Sequence, residues 1–276
     1  MRNVIVSFTI LWVNLLVATA SAASNNTFPG RAEYPDIPVY ELSDLINTFD
    51  QVVVVDTRSQ YEYDTLRIKG SIHIPVAAKT FEDQVQALRT KTKKPIVFYC
   101  NGRTCFKSYH AVKKASAVGV KDIYAYDAGV FDWVKSQPAR SELLGKSPVN
   151  LSQLIDHKVY ESRLLDPNEF SNRIFESGAN TMVLDVRDMY QRAGVGFYPG
   201  KERWVSLDDK AKLAKFLEKA KSKNQTLFIY DEVGKQVRWL QYALEDMGIK
   251  QYYFMNKGAK AYYASISSWK KASNGK

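Results

Sequence analysis

The residues of this 276-residue chain best suited to chemistry are its two cysteines, Cys100 and Cys105. Because they lie so close in sequence, a bond between them cannot brace a fold, and domains held by disulfides carry more cysteines, spread along the chain. Thiolates are strong nucleophiles, and neighbouring thiols can exchange disulfides. The pair therefore indicates local thiol chemistry. The competing interpretation of Cys100 is a buried, inert cysteine at the end of a strand.

The segments around Cys100 indicate how it is positioned. Residues 96–99 are an apolar run typical of a buried strand, and residues 107–117 have the periodicity of a helix. A loop that leads from the carboxyl end of a parallel strand into a helix N-terminus directs several backbone N–H groups at one point. We therefore expect the Cys100 thiol to have a pKa below the free value of about 8.5. Arg103 and Lys107 add positive charge nearby, while burial opposes the shift.

Strand-like and helix-like stretches alternate along both halves of the chain. This alternation predicts an α/β fold with mostly parallel sheets and helices on both faces. Buried strands are predicted at residues 51–56, 95–99, 122–126, 181–185, 226–230 and 251–255.

An internal repeat divides the chain. The motif at residues 56–58 reappears at residues 185–187, an offset of 129 (185 − 56). The same offset joins residues 119–121 to residues 248–250 (248 − 119). A repeat of this period has the size of a domain, so two similar domains are predicted.

Five landmarks follow one another in the first half: Asp56-Thr57-Arg58, residues 67–75, Cys100 at a strand end, Asp127-Ala128-Gly129 and Trp133. Their order and spacing resemble a rhodanese domain over nearly all of residues 37–138, and more weakly over residues 160–265. The resemblance implies two tandem rhodanese-like domains, each with a mostly parallel five-stranded sheet. We place them at residues 35–138 and 156–270, with residues 139–155 as the linker.

The resemblance implies that Cys100 is the catalytic residue and carries sulfane sulfur as a persulfide. The predicted substrate-binding residues are Asn101, Gly102, Arg103, Thr104, Cys105, Lys107 and Arg58. Gly102 is expected to let the loop curl without a Cβ clash. Cys105 is either a resolving thiol that attacks a persulfide or disulfide on Cys100, or a side chain that packs against the helix. Arg58 either holds the strand and loop together with Asp56, or reaches a bound anion.

The second half has no cysteine. Asp231 stands at the corresponding position, and the loop after it is two residues shorter, with 17 residues to the next landmark (248 − 231) against 19 in the first half (119 − 100). A carboxylate cannot carry sulfane sulfur and repels an anion. The second domain is therefore expected to be inactive and to serve as a wall, a brace or a docking surface.

The activity implied by the resemblance is transfer of sulfane sulfur from a small anionic donor such as thiosulfate to a thiol, cyanide or protein acceptor, with no cofactor. One rival is a thiol–disulfide oxidoreductase that uses Cys100 and Cys105, and another is a non-catalytic binding module. A phosphatase or arsenate reductase is disfavoured because relatives of that kind place an arginine where Phe106 stands. No cluster has the spacing of metal ligands.

The net charge and the N-terminal segment indicate the kind of partner and the location of the protein, and not the reaction that it catalyses. The net charge of +10 favours anionic small molecules or acidic surfaces, and the scattered lysines do not form a nucleic-acid signature. Arg2, an apolar run at residues 4–18 and small residues up to Ala22 predict a cleaved signal peptide over residues 1–22. We therefore expect an exported protein, periplasmic or secreted, without a stable membrane anchor.

Overall fold

The structure is a computed structural model and describes residues 28–194 and 196–273. The predicted signal peptide lies outside these residues. Among the residues described, no helix is both long enough and apolar enough to cross a membrane.

Strands and helices alternate along the chain, as predicted. The strands are β1 (Val53–Asp56), β2 (Leu66–Ile68), β3 (Ile72–His73), β4 (Ile96–Tyr99), β5 (Ile123–Tyr126), β6 (Ser141–Leu143), β7 (Leu164–Leu165), β8 (Thr181–Asp185), β9 (Glu202–Trp204), β10 (Thr226–Tyr230) and β11 (Tyr252–Met255). The helices are α1 (Pro29–Glu33), α2 (Leu42–Thr48), α3 (Gln60–Thr65), α4 (Phe81–Lys91), α5 (Lys107–Ala117), α6 (Gly129–Ser136), α7 (His157–Glu161), α8 (Pro167–Glu176), α9 (Met189–Arg192), α10 (Lys210–Ser222), α11 (Val237–Asp246) and α12 (Gly258–Ser273).

The sheet of the first half has the strand order β3-β1-β4-β5, and all its pairs are parallel. It has four strands where five were predicted. The place of the fifth, beside β5, is taken by a single parallel bridge between Val39 and Ala125. Pro38 stands next to this bridge and has no N–H, so it cannot extend a ladder of backbone hydrogen bonds.

The sheet of the second half has five parallel strands in the order β7-β11-β10-β8-β9. This order repeats that of the first half, with β7 in the place of the Val39 bridge. The register repeats as well, because Asp56 pairs with Tyr99 and Asp185 pairs with Tyr230. The predicted fold class, two α/β units with parallel sheets flanked by helices, is therefore confirmed with one strand fewer.

The two halves share one apolar core. The cluster that contains Val97 and Trp133 of the first half also contains Leu184 and Leu240 of the second. The segment predicted as a linker contributes Leu143 and Val149 to this shared core, and its strand β6 pairs antiparallel with β2 of the first half. Apolar burial of this kind is the main favourable term in association. The halves are therefore held face to face, with a cleft along their boundary.

Candidate active site

The predicted loop follows β4 directly and leads into α5, so Cys100 stands at the carboxyl end of a central strand. Its side chain is 0% exposed. The thiol donates a hydrogen bond to the backbone carbonyl oxygen of Cys105 at 3.0 Å, and Sγ lies 3.8 Å from Oγ of Ser108. The loop thus presents a carbonyl oxygen to this sulfur, and the sulfur is closed off from solvent.

The pKa of Cys100 is shifted in the direction opposite to the prediction. Burial raises it well above its usual value, and contact with the Cys105 thiol raises it further, while hydrogen bonds from Ser108 oppose the shift only in part. Desolvation disfavours the charged form of a thiol. Cys100 is enclosed far more completely than its place at the end of a strand indicates.

Cys105 is the thiol that the loop activates. A hydrogen bond with the Cys100 thiol, helped by the backbone N–H groups of Lys107 and Asn101 and the charge of Lys107, lowers its pKa to about 6 against the effect of burial. Because the two thiols are in contact, they titrate as a pair.

A buried carboxylate that the sequence analysis missed holds the loop in place. Glu62 accepts a hydrogen bond from Asn101 at 2.8 Å and pairs with Lys107 at 3.2 Å. Burial would raise the pKa of Glu62, but Lys107, Arg58 and the bond from Asn101 together lower it to about 2. The sequence does contain a pattern that could have drawn attention to Glu62. Ser59 and Glu62 have the spacing of a helix capping box, and they form one at the start of α3.

The surroundings of Arg58 indicate a structural role. Its side chain is 0% exposed, forms an ion pair with Asp56 at 2.6 Å, and donates to Oδ1 of Asn101 at 3.2 Å. Its guanidinium also lies 5.2 Å from the ring centre of Trp239, a residue of the second half. Arg58 therefore links the strand end, the loop and the facing half rather than offering its charge to the cleft.

The other predicted loop residues differ in their surroundings. Arg103 does not line the cleft beside the loop and pairs with Asp132 at 2.9 Å. A Cβ added at Gly102 would meet only the carbonyl oxygen of Ala128, at 3.4 Å, so the clash that was expected there is not seen. The glycine that the loop requires is Gly129, with φ +70°, where an added Cβ would lie 2.3 Å from the nitrogen of Gly102.

A cleft of about 650 Å³ runs between the halves beside this loop. The first half contributes Asn101, Thr104, Cys105 and Lys107 to its wall, and the second half contributes Lys235, Gln236, Arg238 and Trp239. Cys100 does not line it. No carboxylate pairs with Lys235 or Arg238 among the residues described. Lys235 and Arg238 thus add positive charge to the cleft, whereas the charge of Lys107 is offset by Glu62, which also lines it.

Backbone N–H groups of the loop after β10 converge on one point, as predicted for such loops, and we call this set of N–H groups the amide cradle. The side chain of Asp231, from the same loop, fills the cradle. The carboxylate of Asp231 accepts backbone N–H bonds from Val233 at 2.9 Å and Val237 at 3.0 Å, and also from Gly234 and Gln236. Asp231 is 2% exposed. An external anion is therefore excluded by occupation of the cradle, and not only by repulsion.

The comparisons with known proteins agree with this geometry for the first half. Residues 39–136 match the family model of the rhodanese-like domain. No protein of curated function matches the sequence. Residues 39–136 thus form a rhodanese-like domain.

Several solved structures are similar to parts of the chain. A protein of Bacillus halodurans is 24% identical, with 48% of this chain and 93% of that chain covered and a TM-score of 0.37. A rhodanese-related protein of Thermoplasma volcanium is 21% identical, with coverages of 36% and 92% and a TM-score of 0.29. The thiosulfate sulfurtransferase of Pseudomonas aeruginosa is 20% identical, with coverages of 84% and 45% and a TM-score of 0.36.

Proposed function

We propose that this protein is a sulfurtransferase, which takes sulfane sulfur from a small anionic donor and stores it as a persulfide on Cys100. The observation that carries the proposal is the pair of neighbouring cysteines in the loop between β4 and α5, beside a cleft that is also lined by Lys235 and Arg238. The rhodanese-like domain of residues 39–136 supports the same class of reaction.

The cleft suits a donor such as thiosulfate. Lys107 stands on one wall, and Lys235 and Arg238 stand on the other. The charge of Lys107 is offset by Glu62, which also lines the cleft, but Lys235 and Arg238 attract a dianion and stabilise the sulfite that leaves when the donor sulfur–sulfur bond breaks. The thiolate of the pair supplies the nucleophile, since the thiolate and not the thiol attacks sulfur. A thiol or cyanide acceptor then attacks the terminal sulfur of the persulfide and restores the free pair.

The test is to treat the protein with thiosulfate, remove the donor and measure the intact mass. We expect a gain of one sulfur atom, release of one sulfite, and transfer of the sulfur to cyanide as thiocyanate. The Cys100→Ser/Cys105→Ser double variant should form no thiocyanate, because a hydroxyl forms no persulfide. A loss of two hydrogens without added sulfur would identify a Cys100–Cys105 disulfide and favour the oxidoreductase. A mass unchanged by thiosulfate and by other sulfane donors would contradict the proposal.

A further inference from the structure

A second cavity, of about 350 Å³, lies at the amino ends of β8 and β10, at the end of the second sheet opposite to the Asp231 loop. It shares no lining residue with the cleft beside the thiols. Its volume falls in the range of about 300–1,000 Å³ that is usual for small-molecule sites. We call it the amino-end cavity, and its polar and charged lining residues are Thr181, Lys201, Arg203, Lys219, Lys223 and Gln225.

The amino-end cavity carries concentrated positive charge. Four of its lining residues are cations, no carboxylate lines it, and none of the four forms an ion pair within the described part of the chain. Lys219 and Lys223 are one helical turn apart at the C-terminal end of α10. Lys201 and Arg203 are two residues apart at β9, so they lie on the same face of that strand. Like charges at such spacings repel each other, and a bound anion relieves the repulsion.

The neighbouring helix ends offset only part of this charge. Gly178, just after the end of α8, lines the cavity, and so do residues at the end of α10. Lys201 serves one of these helix ends, because its ammonium donates to the carbonyl oxygen of Ile174 at 2.7 Å. The C-terminus of a helix amounts to about half a negative charge, so two ends offset about one of the four cations. About three positive charges remain for a ligand.

The hydroxyl of Thr181 is an independent indication of a ligand. Thr181 is only 7% exposed, and neither its Oγ1 nor Oε1 of Gln225 has a hydrogen-bond partner among the residues described. Buried polar atoms in folded proteins almost always have partners. A phosphate group that keeps one proton supplies both kinds, since its bare oxygens accept and its P–OH donates. The enclosed Oγ1 reaches the ligand by rotation about the Cα–Cβ bond, and residues on strands adopt both common χ1 rotamers.

We propose that the amino-end cavity binds a small free anion with two linked phosphate groups, of the diphosphate class. The two lysines of α10 meet one phosphate group, and Lys201 and Arg203 meet the other. Arg203 suits this role because a guanidinium forms two parallel hydrogen bonds to a phosphate, and backbone carbonyls occupy only its Nη1 in the described chain. Binding there does not depend on the proposed sulfur transfer.

Calorimetric titration of the whole protein with pyrophosphate tests this site. We expect one saturable site, and at least about tenfold weaker binding of inorganic phosphate, which meets only one pair of cations. Lys219→Gln should weaken the binding of pyrophosphate about tenfold, whereas Lys221→Gln should change it less than about twofold because an exposed charge farther away is screened. Both lysines lie in the last turn of α10, so the helix end loses the same charge in each variant, but only Lys219 lines the cavity.

Thr181→Val tests the hydroxyl separately. It should weaken the binding of pyrophosphate about tenfold, because a hydrogen bond to a charged group is lost. The variant should be at least as stable as wild type, since the hydroxyl that it removes has no partner within the described chain. The Cys100→Ser/Cys105→Ser double variant should bind pyrophosphate as wild type does, because both cysteines lie in the first half.

Wild-type protein provides a measurement that needs no substitution. Under limited acetylation with acetic anhydride, pyrophosphate should protect Lys219 and Lys223 but not Lys221, as located by mass spectrometry. The proposal is overturned if pyrophosphate shows no saturable binding, or if Lys219→Gln and Lys221→Gln weaken binding equally. Binding to vesicles of phosphatidic acid without binding of pyrophosphate would also overturn it, because the phosphate would then belong to a lipid.

Discussion

Removal of the Asp231 carboxylate should empty the amide cradle of the second half and destabilise the protein. Four backbone N–H groups donate to this side chain, and Asp231→Ala leaves all four without their partner. A hydrogen bond to a charged group contributes about 1.5–3 kcal/mol. Such bonds are not additive, and water enters the opened cradle. We therefore expect the free energy of unfolding to fall by about 3–5 kcal/mol, the range for removing one partner of a buried charged contact.

The assay is urea unfolding of wild type and Asp231→Ala, with and without formate. Formate replaces the missing carboxylate, so it should stabilise the variant, by about 2.7 kcal/mol at a hundred times its dissociation constant. It should not stabilise wild type, whose cradle is filled. Neutral formamide should have no such effect on either protein. Asp208→Ala, which removes an exposed carboxylate of the same half, is the matched control and should change stability little.

Two results would contradict a stabilising role of the Asp231 carboxylate. One is an Asp231→Ala variant as stable as wild type, and the other is equal stabilisation of both proteins by formate. Sulfur transfer by the folded variant should remain within about tenfold of wild type, because both thiols belong to the first half. A loss of a hundredfold or more, about 2.7 kcal/mol of barrier, would show that the second half takes part in the chemistry.

Two further predictions concern the residues that support the thiol loop. Because the folded-state pKa of Glu62 is lowered from 4.5 to about 2, its ionised form should stabilise the protein by up to about 3 kcal/mol above pH 4.5, and this contribution should vanish as the pH falls towards 2. The free energy of unfolding of Glu62→Gln should not show this fall between pH 4.5 and 2, while that of Glu218→Gln, changed at an exposed site, should show it. The same fall in both variants would contradict the stabilising role of ionised Glu62. Gly129→Ala should unfold more easily than Gly119→Ala and should lose sulfur uptake, because both positions have a positive φ but only the Cβ at position 129 strikes the loop. Equal stability and equal uptake in the two alanine variants would show that the contact with Gly102 does not position the loop.

Much of the fold was predictable because it depends on local patterns. The predicted helix over residues 107–117 is α5 with the same bounds, and the predicted strand at residues 226–230 is β10. The periodicity of apolar residues reports which side of an element is buried, and this needs no knowledge of distant residues. The absence of a fifth strand from the first sheet was not predictable in this way. It depends on the contact between β5 and the segment at Pro38, where only a single bridge forms.

The candidate site was predictable in its parts but not in its arrangement. From the residue order alone it follows that a cysteine ends β4, that a loop leads from it into a helix N-terminus, and that Asp231 replaces the cysteine in the second half. The folded chain was needed to show that Cys100 is enclosed and that Cys105 lines a cleft. It was also needed to show that the second loop closes on its own carboxylate. Exposure and pKa depend on side chains brought together from distant parts of the chain, and spacing along the sequence does not encode those contacts.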